Sequence, residues 1–259
     1  MNLKLLTGKD EIYAYLGLNP ALQIYCIGDL DDFFFPYTTW YGLSDNGQIK
    51  SLALLYTAMD IPTLLLFHEG DNTFAGQLLH LLKPLLPQQF YAHLSPDLTE
   101  VLGTNNIMEH YGMNYKMTLK VLPLKINDPN IRKLSPDDLK VVTDFYRTAY
   151  PHNWFDKRML ETGKYFGYFA GETLAGVAGV HVYSAKYSVA ALGNIAVLPA
   201  FRGRQIGFRL TSVLCHDLVQ TTCTTGLNVR SDNAAAIKLY KNAGFEITGR
   251  YEECLFKLK

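Results

Sequence analysis

The chain has 259 residues, of which 48% are hydrophobic and 19% charged, with 24 basic and 24 acidic side chains and a formal net charge of zero. That composition describes an ordinary soluble protein with ample core, and its charge is unevenly placed: residues 1–125 hold seven Lys, no Arg and twelve Asp or Glu. The first arginine is Arg132, so no broad basic stripe is available to nucleic acid and any phosphate-binding set is expected in the second half. No run approaches the ~18 apolar residues of a membrane span, and the N-terminus lacks the sustained apolar segment of a signal peptide. Cys26, Cys215, Cys223 and Cys254 show neither paired nor zinc-binding spacing. Cys215 and Cys223 therefore read as small buried hydrophobes. A reduced, cytoplasmic protein with no metal and no membrane partner is the expectation.

In chain order, residues 3–6 predict a short strand, followed by a helix opened by Thr7 or Asp10 and closed near Asn19 and Pro20. Asp29, Asp31 and Asp32 then precede Phe33, Phe34, Phe35, Tyr37, Trp40 and Tyr41. The burial energy of so many rings favours packing between layers over an exposed ligand wall. Strands are predicted over 47–56, after the turn Asp45-Asn46-Gly47, and over 61–67. A turn at 68–72 leads to a helix over about 74–82, which Pro84 stops. Residues 89–94 read as a strand, Ser95 as the cap of a short helix through Leu102, and 111–122 as a returning strand. Pro123, Asp128 and Pro129 mark a linker.

The second half opens on a strand at 131–134. Ser135-Pro136-Asp137-Asp138 then supplies an N-cap, a proline at the first helical position and acids in the first turn. This helix runs to about Tyr150, and a loop of His152, Asn153, Trp154, Phe155 and Asp156 precedes a second short helix over 157–162. Strands follow at 165–170, 174–183 and 187–197. The last of them enters a basic, glycine-containing turn, Arg202-Gly203-Arg204-Gln205-Ile206-Gly207. Ile206, Leu210, Val213, Leu214 and Leu218 recur at helical spacing, so a helix begins in that turn. Free backbone N–H groups and the positive end of the helix dipole would converge there beside two arginines, which suits phosphate. The spacing is neither that of a P-loop nor of a dinucleotide fingerprint.

Val197, Pro199, Arg202, Gly203 and Gly207 resemble motif A of the GNAT superfamily of acyl-CoA-dependent N-acyltransferases, with Gln205 where that motif usually has glycine. Asn233, Ala236, Tyr240, Gly244 and Phe245 look like the family's N-x-x-A-x-x-x-Y-x-x-x-G-F, at the proper distance beyond a strand over 225–229. The order of strands and helices over 47–122 repeats that from Gly193 onward. The implied fold is α/β, with two GNAT-like halves, each a mixed, mostly antiparallel sheet flanked by helices. Residues 1–125 form a degenerate copy and 130–259 a complete acyl-CoA-binding domain. In the first copy Glu69 and Asp71 occupy the corresponding turn, where each would repel a pyrophosphate by roughly 1 kcal/mol or more.

The resemblance implies acetyl-CoA as co-substrate. The turn 202–207 would hold its phosphates, Ile195, Ala196 and Val197 would run beside the pantetheine arm, and a strand N–H would polarise the thioester carbonyl. Asn228, Asn233 and Ala236 are placed by the same resemblance around the pantetheine, and Tyr240 as the acid that protonates the departing thiolate. Gln205 is expected to weaken or reposition CoA without abolishing its binding. The base is not marked: Asn194 is the only polar residue over 190–197, and His181, His152, Asp156 and Glu172 are candidates through water. His152, Trp154, Asp156 and His181 are the candidate acceptor contacts. The expected activity is acetyl transfer to a primary amine of a small molecule, amino acid or peptide, with a homodimer allowed. The alternatives are a longer acyl-CoA as donor, or a non-catalytic CoA-binding regulatory module.

Overall fold

The computed structural model describes residues 1–151 and 153–258. In chain order the first elements are β1 (Asn2–Leu6), α1 (Lys9–Leu16), α2 (Pro20–Gly28), β2 (Thr38–Asp45), β3 (Gln48–Tyr56), β4 (Thr63–Leu66), α3 (Thr73–Leu82), β5 (Gln89–Leu94), α4 (Thr99–Leu102) and β6 (Ile107–Leu119). They are followed by β7 (Ile131–Lys133), α5 (Leu139–Ala149), β8 (Phe166–Ala170), β9 (Thr173–Ser184), β10 (Val189–Val197), α6 (Ile206–Leu218), β11 (Thr224–Arg230), α7 (Ala234–Asn242) and β12 (Phe245–Lys257). Two compact units result. One comprises Met1–Lys116 with Arg230–Asp232 and Ile247–Lys259, the other Met117–Val229 with Asn233–Glu246. This division differs from a break near residue 125, because the end of the chain counts with the first unit.

In the first unit the strands run in the order β1-β2-β3-β4-β5-β12-β6. β4 and β5 are parallel, and their other described neighbours β3 and β12 pair with them antiparallel. Phe256 of β12 stacks on Phe90 of β5, ring centroids 5.6 Å apart, in a core with Leu43, Leu64, Leu78 and Leu94. In the second unit the order is β11-β10-β9-β8-β7, with β10 and β11 parallel and the other pairs antiparallel. Each unit therefore places a helix, α3 or α6, between the two parallel strands in sequence, and the α/β fold with mixed sheets flanked by helices is as the motifs implied.

Several local features differ from the sequence reading. Asn19 and Pro20 open a helix instead of closing one. The Asn19 side chain accepts the Leu22 N–H at 3.2 Å and Pro20 takes the first helical position, where its missing N–H costs nothing. The aromatic stretch is divided: Trp40 is buried in β2, a strand absent from the sequence reading, whereas Phe33 and Tyr37 are exposed. Ser95 caps no helix. Its hydroxyl accepts the His68 N–H at 3.0 Å, and α4 starts later, at Thr99. Cys223 is exposed, while Cys26, Cys215 and Cys254 are buried.

Since β12 lies between β5 and β6, the first unit is built from both ends of the chain. Losing Phe256 alone would cost about 3–5 kcal/mol, a large share of the about 5–15 kcal/mol that stabilises a domain. A polypeptide of residues 1–125 is expected to show no cooperative thermal transition by circular dichroism, and one with residues 247–259 joined to it is expected to regain it. A sharp transition in the shorter polypeptide would contradict the assignment of β12.

Candidate functional site

Two features of the second unit meet at the end of β10. The first is a gap. β10 and β11 pair from Val189↔Thr224 to Leu192↔Leu227 and no further, although β10 continues to Val197 and β11 to Arg230. Residues 193–197 and 228–229 thus face an opening with no ladder between them. In the first unit the equivalent parallel pair stays closed, because beyond Leu66↔Leu94 the Ser95 N–H bonds the Leu66 carbonyl at 3.1 Å and the Ser95 hydroxyl bonds His68.

The second feature is the turn into α6. The first backbone bond of that helix runs from the Arg209 N–H to the Gln205 carbonyl at 3.0 Å. Among the described residues the N–H groups of Gly203, Arg204, Gln205, Ile206, Gly207 and Phe208 have no acceptor. Gly203 (φ +76°) and Gln205 (φ +59°) both adopt the left-handed conformation, which turns successive N–H groups to one side. Gln205 therefore takes the conformation a glycine would supply, at a strain of about 1 kcal/mol, and its Cβ does not force a different turn. Arg209 braces the loop, donating to the Arg204 carbonyl at 2.8 Å and pairing with Asp128 at 2.6 Å. Arg202 and Arg204 are exposed beside it, each anchored by one bond, to the carbonyls of Val197 and Ala200 respectively. A cluster of unmet donors at a helix N-terminus flanked by guanidinium groups has the chemistry that suits an anion.

Between gap and core lies a distorted stretch of β10. The pairing with β9 skips one residue at His181 and another between Gly193 and Ala196, and Asn194 sits there with φ +54°. Tyr146 donates to the Asn194 carbonyl at 2.6 Å, the Asn194 amide donates to the Tyr165 hydroxyl at 3.0 Å, and Tyr165 donates to the Val180 carbonyl at 2.9 Å. The His181 ring lies against Gly193, where a Cβ would overlap it, and the Tyr165 ring lies likewise against Gly179. His181 Nε2 and Asn194 Oδ1 are buried with no hydrogen-bond partner. Burial lowers the His181 pKa, opposed by the Asn194 side chain, so the imidazole is neutral at pH 7.

Of the other residues singled out in the sequence, Ile195, Ala196 and Val197 are half-buried at the end of β10, and Asn228 is half-buried on β11 beyond its last pair with β10. Tyr240 is half-buried on α7 with its ring against Phe245, and burial raises its pKa, keeping the phenol protonated. Asn233 is the N-cap of α7: its side chain accepts the Ala236 N–H at 3.1 Å. Asp156 is held by Arg158 in a two-point pair, and that hydrogen bonding keeps it below the ordinary carboxylate range, so it makes a poor base. Trp154 is exposed on its loop, Glu172 is exposed on the turn between β8 and β9, and His152 lies outside the described residues. Tyr146 and Tyr165 were missed. With 17 tyrosines in the chain, no spacing marks these two.

The contact between His181 and Gly193 can be tested by a mutant cycle. Gly193→Ala is expected to destabilise the protein by about 2 kcal/mol through overpacking, and adding His181→Ala to recover at least half of that loss. Additive effects in urea unfolding would contradict the contact.

Known proteins resemble this chain in sequence and in fold. Residues 131–245 match the family model described as Acetyltransferase (GNAT) family. An uncharacterized protein of Mycobacterium leprae is 37% identical over 105 residues, which cover 39% of this chain and 28% of that protein. Thus the match spans under a third of that relative's length. A solved Drosophila protein aligns over 98% of both chains with a TM-score of 0.73 and 15% identity. A tandem GNAT protein from the clavulanic acid biosynthesis pathway aligns over 98% of this chain and 97% of its own, with a TM-score of 0.57 and 14% identity. At such identities these structures speak for the fold alone. With the family model, the motif turn of α6 and the opened parallel strands in agreement, residues 131–245 form a domain of the GNAT acetyltransferase family.

Proposed function

We propose that the second unit transfers an acetyl group from acetyl-CoA to a primary amine of a small molecule, amino acid or peptide. The observation that carries this reading is the run of six unmet N–H groups from Gly203 to Phe208, set where β10 and β11 part. A pyrophosphate suits that turn, with Arg202 and Arg204 adding charge, and an extended arm suits the opening along Ile195, Ala196 and Val197. When bound, acetyl-CoA supplies the activated acyl group.

The chain's own groups have separable tasks. Backbone N–H groups on the freed edge of β10 would polarise the carbonyl oxygen. We assign proton acceptance to His181, which is neutral and has an unmet ring nitrogen beside the β10 distortion. Tyr240 would donate its phenolic proton to the leaving sulfur. The balance is that of acyl transfer: a C–N bond forms, the C–S bond breaks, the amine proton passes to the base and the sulfur leaves as a thiol. Asn194 and its two tyrosine partners hold the strand in the bent form that this arrangement needs.

Calorimetric titration of acetyl-CoA tests the cradle. The double variant Arg202→Ala, Arg204→Ala is expected to bind at least about tenfold more weakly. Gln205→Gly is expected to stay within about threefold of the unmodified protein, and Gln205→Val, whose branched Cβ resists positive φ, to lose about tenfold. Tyr240→Phe should leave acetyl-CoA affinity in place while lowering kcat by about 10²–10⁴ in a thiol-release assay with an amine panel. No binding of acetyl-CoA by the unmodified protein at high micromolar concentration would overturn the reading.

A further inference from the structure

The first unit has a polar site of its own. Where β4 and β5 remain closed, Leu22, His68, Glu69, Ser95, Asp97 and Arg250 line a pocket of about 250 Å³. All of these belong to the first unit. Ser95 fixes the backbone of His68 from both sides, accepting its N–H at 3.0 Å and donating to its carbonyl at 3.3 Å. The His68 imidazole itself is unmet, with both ring nitrogens buried and neither hydrogen-bonded. Burial lowers its pKa while Asp71 and Asp97 pull the other way, so the ring is neutral at pH 7. A neutral imidazole presents one N–H donor and one bare acceptor in either tautomer.

The charges around the ring narrow the choice. Arg250 and Asp97 line the same pocket, and neither enters an ion pair among the described residues. Glu69 adds a second carboxylate, one oxygen of which is bonded by the Asn19 amide at 2.5 Å. The stem of Lys116 lies against Gly249, another residue of the pocket wall. The Lys116 ammonium is 3.6 Å from the Phe67 ring centroid, with Tyr251 and Tyr25 at 5.3 and 5.5 Å. Among the described residues it enters no ion pair, and burial lowers its pKa only to about 8, so a cation stands behind a wall that already carries Arg250. The pocket wall thus carries one guanidinium, Arg250, and two carboxylates, Asp97 and Glu69. The volume admits a molecule of about ten heavy atoms, below the usual range for drug-sized ligands.

We propose that this pocket binds a free α-amino acid, with its carboxylate on Arg250 and its ammonium on Asp97 and Glu69. Calorimetry of the full chain against each of the common L-amino acids, up to about 10 mM, tests this. At least one is expected to bind with one-to-one stoichiometry, and its methyl ester and N-acetyl derivative to bind at least about tenfold more weakly. Arg250→Ala and Asp97→Asn change exposed side chains, and asparagine tolerates the positive φ of position 97. Each is expected to weaken binding by about tenfold or more at unchanged melting temperature. Absence of binding by every amino acid overturns the proposal. So does binding that survives both substitutions, which would place the amino acid elsewhere on the chain.

Discussion

The structure of the second unit turns on where one hydrogen-bonded ladder stops. Parallel strands stay paired wherever their backbones can reach each other, so the separation of β10 and β11 beyond Leu192 and Leu227 has to be held open. The holding groups are identifiable. Asn194 in a left-handed conformation bends β10, the Tyr146 hydroxyl secures its carbonyl, and Tyr165 secures its side chain. Two glycines clear space for the rings involved, Gly193 for His181 and Gly179 for Tyr165. Strain of this kind persists only where surrounding contacts overdetermine it. Here it leaves backbone donors facing an opening, next to a helix N-terminus whose own donors are unmet.

The first unit shows the same order of strands and helix with the opposite outcome. Ser95 continues the ladder past Leu66, and its hydroxyl ties down His68, so no slot for an extended ligand forms between β4 and β5. The turn into α3 carries Glu69 and Asp71 where the second unit has Arg202 and Arg204. Ser95 at one pair and the bend at Asn194 at the other thus separate a closed strand pair from an open one. What replaces the slot is a compact polar pocket with mixed charge, better matched to a small zwitterion than to a long anionic cofactor.

Sequence made the anion turn legible because that chemistry depends on residue types at fixed local spacing. Arg202, Gly203 and Gly207 fall close together, and the apolar repeat from Ile206 announces the helix. The pattern of alternating strands and helices was legible for the same reason. What escaped was non-local or conformational. The pairing of β12 with β5 joins residues more than 150 positions apart, and no local pattern encodes which strand a strand will choose. The bend at Asn194 leaves no trace in periodicity, and Tyr146 and Tyr165 matter only because the fold brings them to it. Two polar side chains were read in the wrong role: Asn19 caps α2 and Ser95 bonds His68. In each, the fold presents the side chain with a backbone group other than the one that local sequence suggests.

The central claim is that the unmet amides of residues 203–208 are the group that receives the donor's phosphates. Amide hydrogen exchange with and without acetyl-CoA measures this at the atoms concerned. Slowed exchange on binding, concentrated at residues 203–208 and extending to 193–197, is the predicted result. Binding that leaves those amides unprotected, or that protects the turn at 67–72 instead, would contradict the account.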